Sequence, residues 1–202
     1  MAERGRPRSF DRDAALQKAM DLFWEKGYAS TSLADLTAAM GINAPSLYSA
    51  FGSKELLFRD AMALYSSREG NCAHAELLRA PTARAGIENM LLAAARAGTQ
   101  PGRPRGCLIV LGAPTGAEDH APVHKMLCDS RRHTQALILQ RLRGAVRQGE
   151  LPAHTDLPAL AAYYATLLNG MAIQARDGAS RKVLQQSARL AMLAWDALAA
   201  SA

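Results

Sequence analysis

Apolar positions recur at helical spacing along almost the whole chain, and the alternation that marks half-buried strands is scarce. Between Asp11 and Lys26, Ala15, Ala19, Leu22 and Phe23 fall on one face, and Gly27 closes the segment as a C-cap. In "TSLADLTAAMG", Leu33, Leu36 and Met40 share a face. Ser32 and Asp35 stand there at the capping-box spacing, with Asp in place of the usual Glu or Gln, and Gly41 stops the helix. In "INAPSLYSAF", Asn43 is the N-cap, Pro45 sits in the first turn where its missing N–H costs nothing, and Leu47 and Phe51 are four residues apart. A fourth helix starts at Ser53, in "SKELLFRDAMALY".

Further helices are expected from Thr82 to Ala97, Cys107 to Leu111, Pro122 to Gln148, Pro158 to Ala175 and Arg181 to Ala199. Asp156 and Ser180 are the N-caps of the last two. Leu160, Tyr164, Leu167, Leu168 and Met171 form a stripe on the first of that pair. Leu184, Leu190, Leu193 and Trp195 form another on the second, backed by small alanines. Two adjacent helices with more apolar face than one domain needs suggest a four-helix dimer interface, with ordinary intrachain packing as the alternative. The fold class is all-α.

Composition narrows the setting. The 202 residues suffice for one domain, or a small one joined to a larger one, and no apolar run approaches the roughly 18 residues that span a bilayer. The three cysteines show no CxxC spacing, so no disulfide framework is expected and a reducing cytoplasm is the simpler home. The formal net charge is +6, yet residues 1–60 are balanced and the excess lies behind them, so charge alone says little about partners. No HExxH, GxSxG, P-loop or GxGxxG occurs, and no enzyme or cofactor is expected.

Two short helices joined by a glycine turn behind one longer helix make a helix-turn-helix. The outward side of its second helix carries Ser46, Tyr48, Ser49 and Ala50, a face without bulky aliphatic groups that can approach base edges and phosphates in a major groove. The stretch "GYASTSLADLTAAMGINAPSLYSAFGSKELLF" resembles the DNA-binding signature of the tetracycline-repressor (TetR/AcrR) family of bacterial transcription regulators. Gly27-Tyr28, Thr31-Ser32, Asp35, Gly41, Leu47-Tyr48, Phe51 and Ser53-Lys54-Glu55 carry the resemblance. Many relatives have His before the aromatic that ends the recognition helix; here that place is Ala50.

The resemblance implies an N-terminal helix-turn-helix domain (1–54) and a C-terminal helical effector-binding and dimerisation domain (55–202). It implies a homodimer built from the last two helices, bound to double-stranded palindromic operator DNA and released by a small-molecule effector. Tyr48 and Lys54 would touch phosphates, with Thr31 or Ser32 doing likewise at the start of the second helix; Ser46 and Ser49 would face base edges, and Ala44 and Pro45 are further DNA-binding positions. Tyr48 bracing its own helix is a compatible alternative.

The tetrapeptide "GRPR" occurs at 5–8 and again at 102–105. The first copy follows Arg4, so Arg4, Arg6 and Arg8 form a basic extended arm suited to an A·T-rich minor groove, or a solvated tail. The second lies in a proline- and glycine-broken loop before Cys107. A cysteine at a helix start near Arg103 and Arg105 sits where a lowered thiol pKa is expected; a small buried hydrophobe is the alternative.

Met62, Tyr65, Met90, Leu91, Cys107 and Met126 are candidates by type and place for an apolar effector pocket, with plain core filling as the alternative for each. His120, His124 and Cys128 follow at i, i+4, i+8, a metal-ligand spacing that Pro122 interrupts. The rival to a regulator is a helical ligand-binding protein without specific operator binding, and one that senses oxidants or electrophiles through Cys107 is a variant of the regulator.

Overall fold

In the computed structural model, which describes residues 10–113 and 120–199, helices follow one another without a strand among the described residues. They are α1 (Arg12–Lys26), α2 (Leu33–Met40), α3 (Ala44–Phe51), α4 (Lys54–Tyr65), α5 (Asn71–Arg79), α6 (Ala83–Ala97), α7 (Leu108–Leu111), α8 (Ala121–Arg147), α9 (Leu157–Arg176) and α10 (Arg181–Ala199).

Side-chain caps set most of the starts. Asp11, Ser32, Asn43, Ser53, Thr82 and Asp156 each accept from a backbone N–H in the first turn of the helix that follows, satisfying donors that have no partner inside the helix. Glu150 adds a long-range cap, its carboxylate accepting from the Ala83 and Arg84 N–H groups at the start of α6.

One element has no counterpart in the sequence pattern. After Tyr65 the chain makes a π-helical turn (Ser66–Gly70) and continues as α5. The segment "SSREGNCAHAELLR" buries Leu77 alone, so no apolar stripe announces it.

Two cores result. The first gathers Phe23, Trp24, Leu36, Leu47, Phe51, Leu57 and Phe58 from α1–α4, and extends to Leu108 of α7 and Val123 and Leu127 of α8. Phe23 meets Phe58 edge-to-face at 5.0 Å between centroids, a preferred aromatic geometry. The second joins α5, α6, α8, α9 and α10 around Ile87, Met90, Leu91, Leu142, Tyr164 and Trp195. On the outer sides of α9 and α10, Tyr163, Ile173, Val183, Leu190 and Leu193 remain 44–60% exposed.

Candidate nucleic-acid interface and adjoining cavity

The helix pair α2–α3 is locked by short side chains at its own ends. The Asp35 N–H donates to Ser32 Oγ at 3.0 Å, while Asp35 Oδ2 accepts from the Ser32 N–H at 2.9 Å and its hydroxyl at 2.7 Å. Lys26 Nζ adds a contact to Asp35 Oδ1 at 3.0 Å. The bonds to Ser32, followed by Lys26, pull the Asp35 carboxyl down to about 2. Gly41 then turns the chain in the left-handed region (φ 70°), where a side chain would be strained. Asn43 Oδ1 accepts from the Ser46 N–H at 2.8 Å and starts α3.

With Leu47 and Phe51 buried, α3 presents its other side to solvent. Ala44, Pro45, Tyr48 and Ser49 are exposed and Ser46 is partly so. The expected base-edge and phosphate candidates of this helix are thus brought onto one surface.

Lys54, the first residue of α4, is held by an aromatic ring. Its Nζ sits 4.3 Å from the centre of the Tyr28 ring, a cation–π arrangement. Tyr28 in turn packs on Phe23, Phe58 and His120. Burial lowers the Lys54 pKa, with the Asp35 charge opposing it, and burial raises that of Tyr28. The Tyr28 N–H donates to the Gly112 carbonyl at 2.6 Å, so the end of α7 supports the turn that precedes α2.

Thr31 requires a correction. It is fully buried, and its hydroxyl donates to the Gly27 carbonyl at 2.6 Å, closing the turn after α1. It therefore cannot reach a phosphate through its side chain. Ser32 is exposed, with its hydroxyl engaged in the capping box. Arg4, Arg6 and Arg8 lie outside the described residues.

The second "GRPR" lies away from this surface and joins the helix-turn-helix to the rest of the molecule. Arg103 donates to Asp21 on α1 at 3.3 Å and to Glu69 in the π turn at 2.6 Å. Arg105 donates to the Ala175 and Ala179 carbonyls. Arg176 of α9 reaches back to the Arg105, Glu25 and Trp24 carbonyls at 2.8, 2.6 and 2.5 Å. Gly106 (φ 83°) must be glycine, because a Cβ there would lie 2.7 Å from the Ala172 carbonyl oxygen. Arg103 is thus paired with two carboxylates, while Arg105 is held by two backbone carbonyls.

Behind the loop lies a small cavity of about 90 Å³, walled by the π turn and by α5–α9. Tyr65 and Cys107 line it, and the Tyr65 hydroxyl contacts Cys107 Sγ at 3.4 Å. Burial, reinforced by Cys107, pushes the Tyr65 phenol well above its ordinary value. Polar groups the sequence did not single out share this wall: Glu69, His74, Arg131, Thr134 and Asn169. Arg131 is fixed by the Ile109 carbonyl at 2.8 Å and Cys128 Sγ at 3.1 Å. Burial, followed by His133, lowers the His74 pKa.

Of the other pocket candidates, Met62 fills the first core and Met90 and Leu91 the second, and none lines this cavity. Their side chains are enclosed by neighbouring helices, which is the core-filling alternative. Met126 lines a separate, open cleft of about 690 Å³ that also contains Arg59 and His133. The metal spacing is not realised as a site. His124 and Cys128 approach to 3.7 Å, but His120 precedes α8 and turns its ring onto Tyr28. Among the described residues no group of three His, Cys, Asp or Glu side chains is gathered as for a metal. Nor, among them, is any helix long and apolar enough to cross a membrane.

Residues 15–61 match the family described as bacterial regulatory proteins, tetR family, and residues 81–191 match the tetracyclin repressor-like C-terminal domain. The HTH-type transcriptional repressor ComR of Escherichia coli (strain K12) is 37% identical over 196 residues, covering 96% of this chain and 93% of ComR. The HTH-type transcriptional repressor BdcR of the same organism is 31% identical over 189 residues, covering 93% and 90%. Among solved structures, a cysteine mutant of the TetR family transcriptional regulator CifR, complexed with 26-bp double-strand operator DNA, superposes with a TM-score of 0.90. It shares 45% identity over 94% of this chain and 100% of that one.

Proposed function

The chain belongs to the TetR family of bacterial regulatory proteins, and from that premise we propose that it is a transcriptional repressor whose homodimer binds a palindromic operator. Residues 1–54 serve as the reading head and residues 55–202 as the effector-binding and dimerisation body. The observation that carries this reading is the α2–α3 pair, capped at both starts, with Ala44, Pro45, Tyr48 and Ser49 on one exposed face. A recognition helix so held enters the major groove with its first turn, and the N-terminal ends of the head helices aim backbone N–H groups at phosphates.

Tyr48 and Lys54 bind phosphate, and Ala44, Pro45, Ser46 and Ser49 face bases. Ser32 contributes at the α2 start, and the Arg4, Arg6 and Arg8 arm lies in the adjacent minor groove. Dimerisation uses the apolar stripe of Tyr163, Ile173, Val183, Leu190 and Leu193, a set of side chains that water disfavours. The cavity lined by Tyr65 and Cys107 receives a small effector whose apolar body faces the alanines, Ile109 and Val110, and whose polar groups meet Glu69, His74, Arg131, Thr134 or Asn169. Release follows from differential effector affinity for two head spacings. Operator binding takes place in the cytoplasm and involves no catalysis.

Footprinting of the DNA around its own gene, at two salt concentrations and beside Tyr48→Ala, tests the reading. A protected palindrome that weakens with salt and is lost in the variant is expected. A folded dimer that protects nothing there, and selects nothing from random duplexes, overturns it.

A further inference from the structure

Resting on the reading of α3 as the recognition helix, the structure points to the chemistry by which it tells one half-site from another. Base pairs in the major groove differ in donors and acceptors and in the 5-methyl group of thymine. Guanine is recognised by the long cationic side chains of Arg or Lys, adenine by the paired oxygen and nitrogen of Asn or Gln, and cytosine by a carboxylate. None of these residue types occurs in α3, whose sequence is "APSLYSAF".

Asn43, at the edge of the helix, is of the adenine-reading type, but its Oδ1 is occupied by the Ser46 N–H at 2.8 Å. The cap engages one lone pair of that oxygen, so a paired contact with adenine would have to share the oxygen with the cap. On α2 the exposed positions include Ala34 and Ala38, and the Thr37 hydroxyl donates back to the Leu33 carbonyl at 3.0 Å. The groups left on the first turn of α3 are the Ala44 methyl and the Pro45 ring, both exposed, neither able to hydrogen-bond through its side chain. Pro45 also lacks the N–H that would tie it to a phosphate. Serine hydroxyls, which Ser46 and Ser49 supply, pair with any base and discriminate little.

We propose that this protein specifies its half-site through thymine 5-methyl groups packed against Ala44 and Pro45, with Ser46, Ser49 and Tyr48 fixing the depth and register of the helix. Such contacts are apolar and scale with the surface removed from water. Losing one methyl therefore costs about fourfold in affinity, the scale of one buried CH₂ group.

The test uses the full-length protein and a duplex selected from a random pool. Each thymidine is replaced in turn, in both half-sites, by deoxyuridine, which keeps every hydrogen-bonding group and removes the methyl. Affinity is read by fluorescence anisotropy at one salt concentration. One or two positions per half-site are expected to lose about fourfold for each methyl removed, and the rest to change little. Ala44→Gly or Pro45→Ala should bind the selected duplex more weakly and become indifferent to deoxyuridine at the position each contacts. Two variants are named because a glycine in the first turn also loosens the helix; either one showing the loss of sensitivity supports the assignment. A selected site that tolerates deoxyuridine everywhere overturns methyl readout while leaving operator binding intact. Sensitivity that survives unchanged in both variants overturns it too, by placing the methyls elsewhere. If no site is selected, operator binding fails and this inference with it.

Discussion

Arg103 Nη2 lies 2.6 Å from Glu69 Oε1, across 34 residues, and joins a loop between α6 and α7 to the π turn that walls the cavity. The same guanidinium reaches Asp21 of α1. One planar fork thus spans the cavity wall and the first helix of the proposed reading head. Arg103→Ala is expected to lower stability by about 1 kcal/mol, the scale of a partly exposed charge-assisted pair. It should also speed hydrogen exchange along α1. Arg103→Lys should not restore protection, because a point-like ammonium lacks the fork that serves two carboxylates. Unchanged exchange in α1 would remove the strut role.

Thr31 gives a test that separates burial from DNA contact. Thr31→Val keeps the shape and deletes the bond to the Gly27 carbonyl, so a loss of about 1 kcal/mol in chemical denaturation is expected. Operator affinity of the folded variant should match the wild type, with the same dependence on salt. A reduced salt slope would mean that the residue meets phosphate after all.

Asp35 predicts an acid-sensitive head. Its carboxyl titrates at about 2 in the folded chain against an ordinary 3.8, so the folded state holds its proton less tightly than the unfolded one. The stabilisation is complete above the ordinary value and is lost as pH falls toward 2. Ser32→Ala removes the largest cause of the shift. It should flatten the fall in melting temperature between about pH 4 and pH 2 while lowering the melting temperature at neutral pH. Parallel curves for the two proteins would refute the linkage.

Leu190 and Leu193, 59% and 60% exposed on α10, predict where dimerisation fails. Leu190→Asp with Leu193→Asp places two charges in a stripe that needs to lose water. Sedimentation should show monomers that retain helical circular dichroism, and footprinting should show operator protection lost, because a single head makes only half the contacts. Dimers persisting at micromolar concentration would move the interface elsewhere.

The helix-turn-helix was legible residue by residue because its determinants are local. The C-cap Gly27, the N-caps Ser32 and Asn43, the left-handed Gly41 and the i, i+4 pair Leu47 and Phe51 all act within one or two turns. The π turn and α5 were not, since a segment that buries Leu77 alone leaves no period to read. Type and place offer Met90 and Leu91 equally to a pocket or to core filling, and only the helix packed opposite decides. Thr31 failed for the same reason: a threonine before a capping box is equally suited to solvent or to a carbonyl four residues back. The second "GRPR" is legible as a loop, but its partners are not, because Asp21, Glu69 and Ala175 are far from it in sequence.

Arg176 caps the final turn of α1, taking the Trp24 and Glu25 carbonyls that a helix end leaves without partners. The first sixty residues are therefore an incomplete unit, finished by a side chain about 150 positions later. Recombination that trades heads between members of such a lineage would be productive only where the recipient body supplies an arginine at this place and the loop beneath it. Descent of the two halves is then expected to run together, and a head transplanted alone would arrive with a frayed first helix.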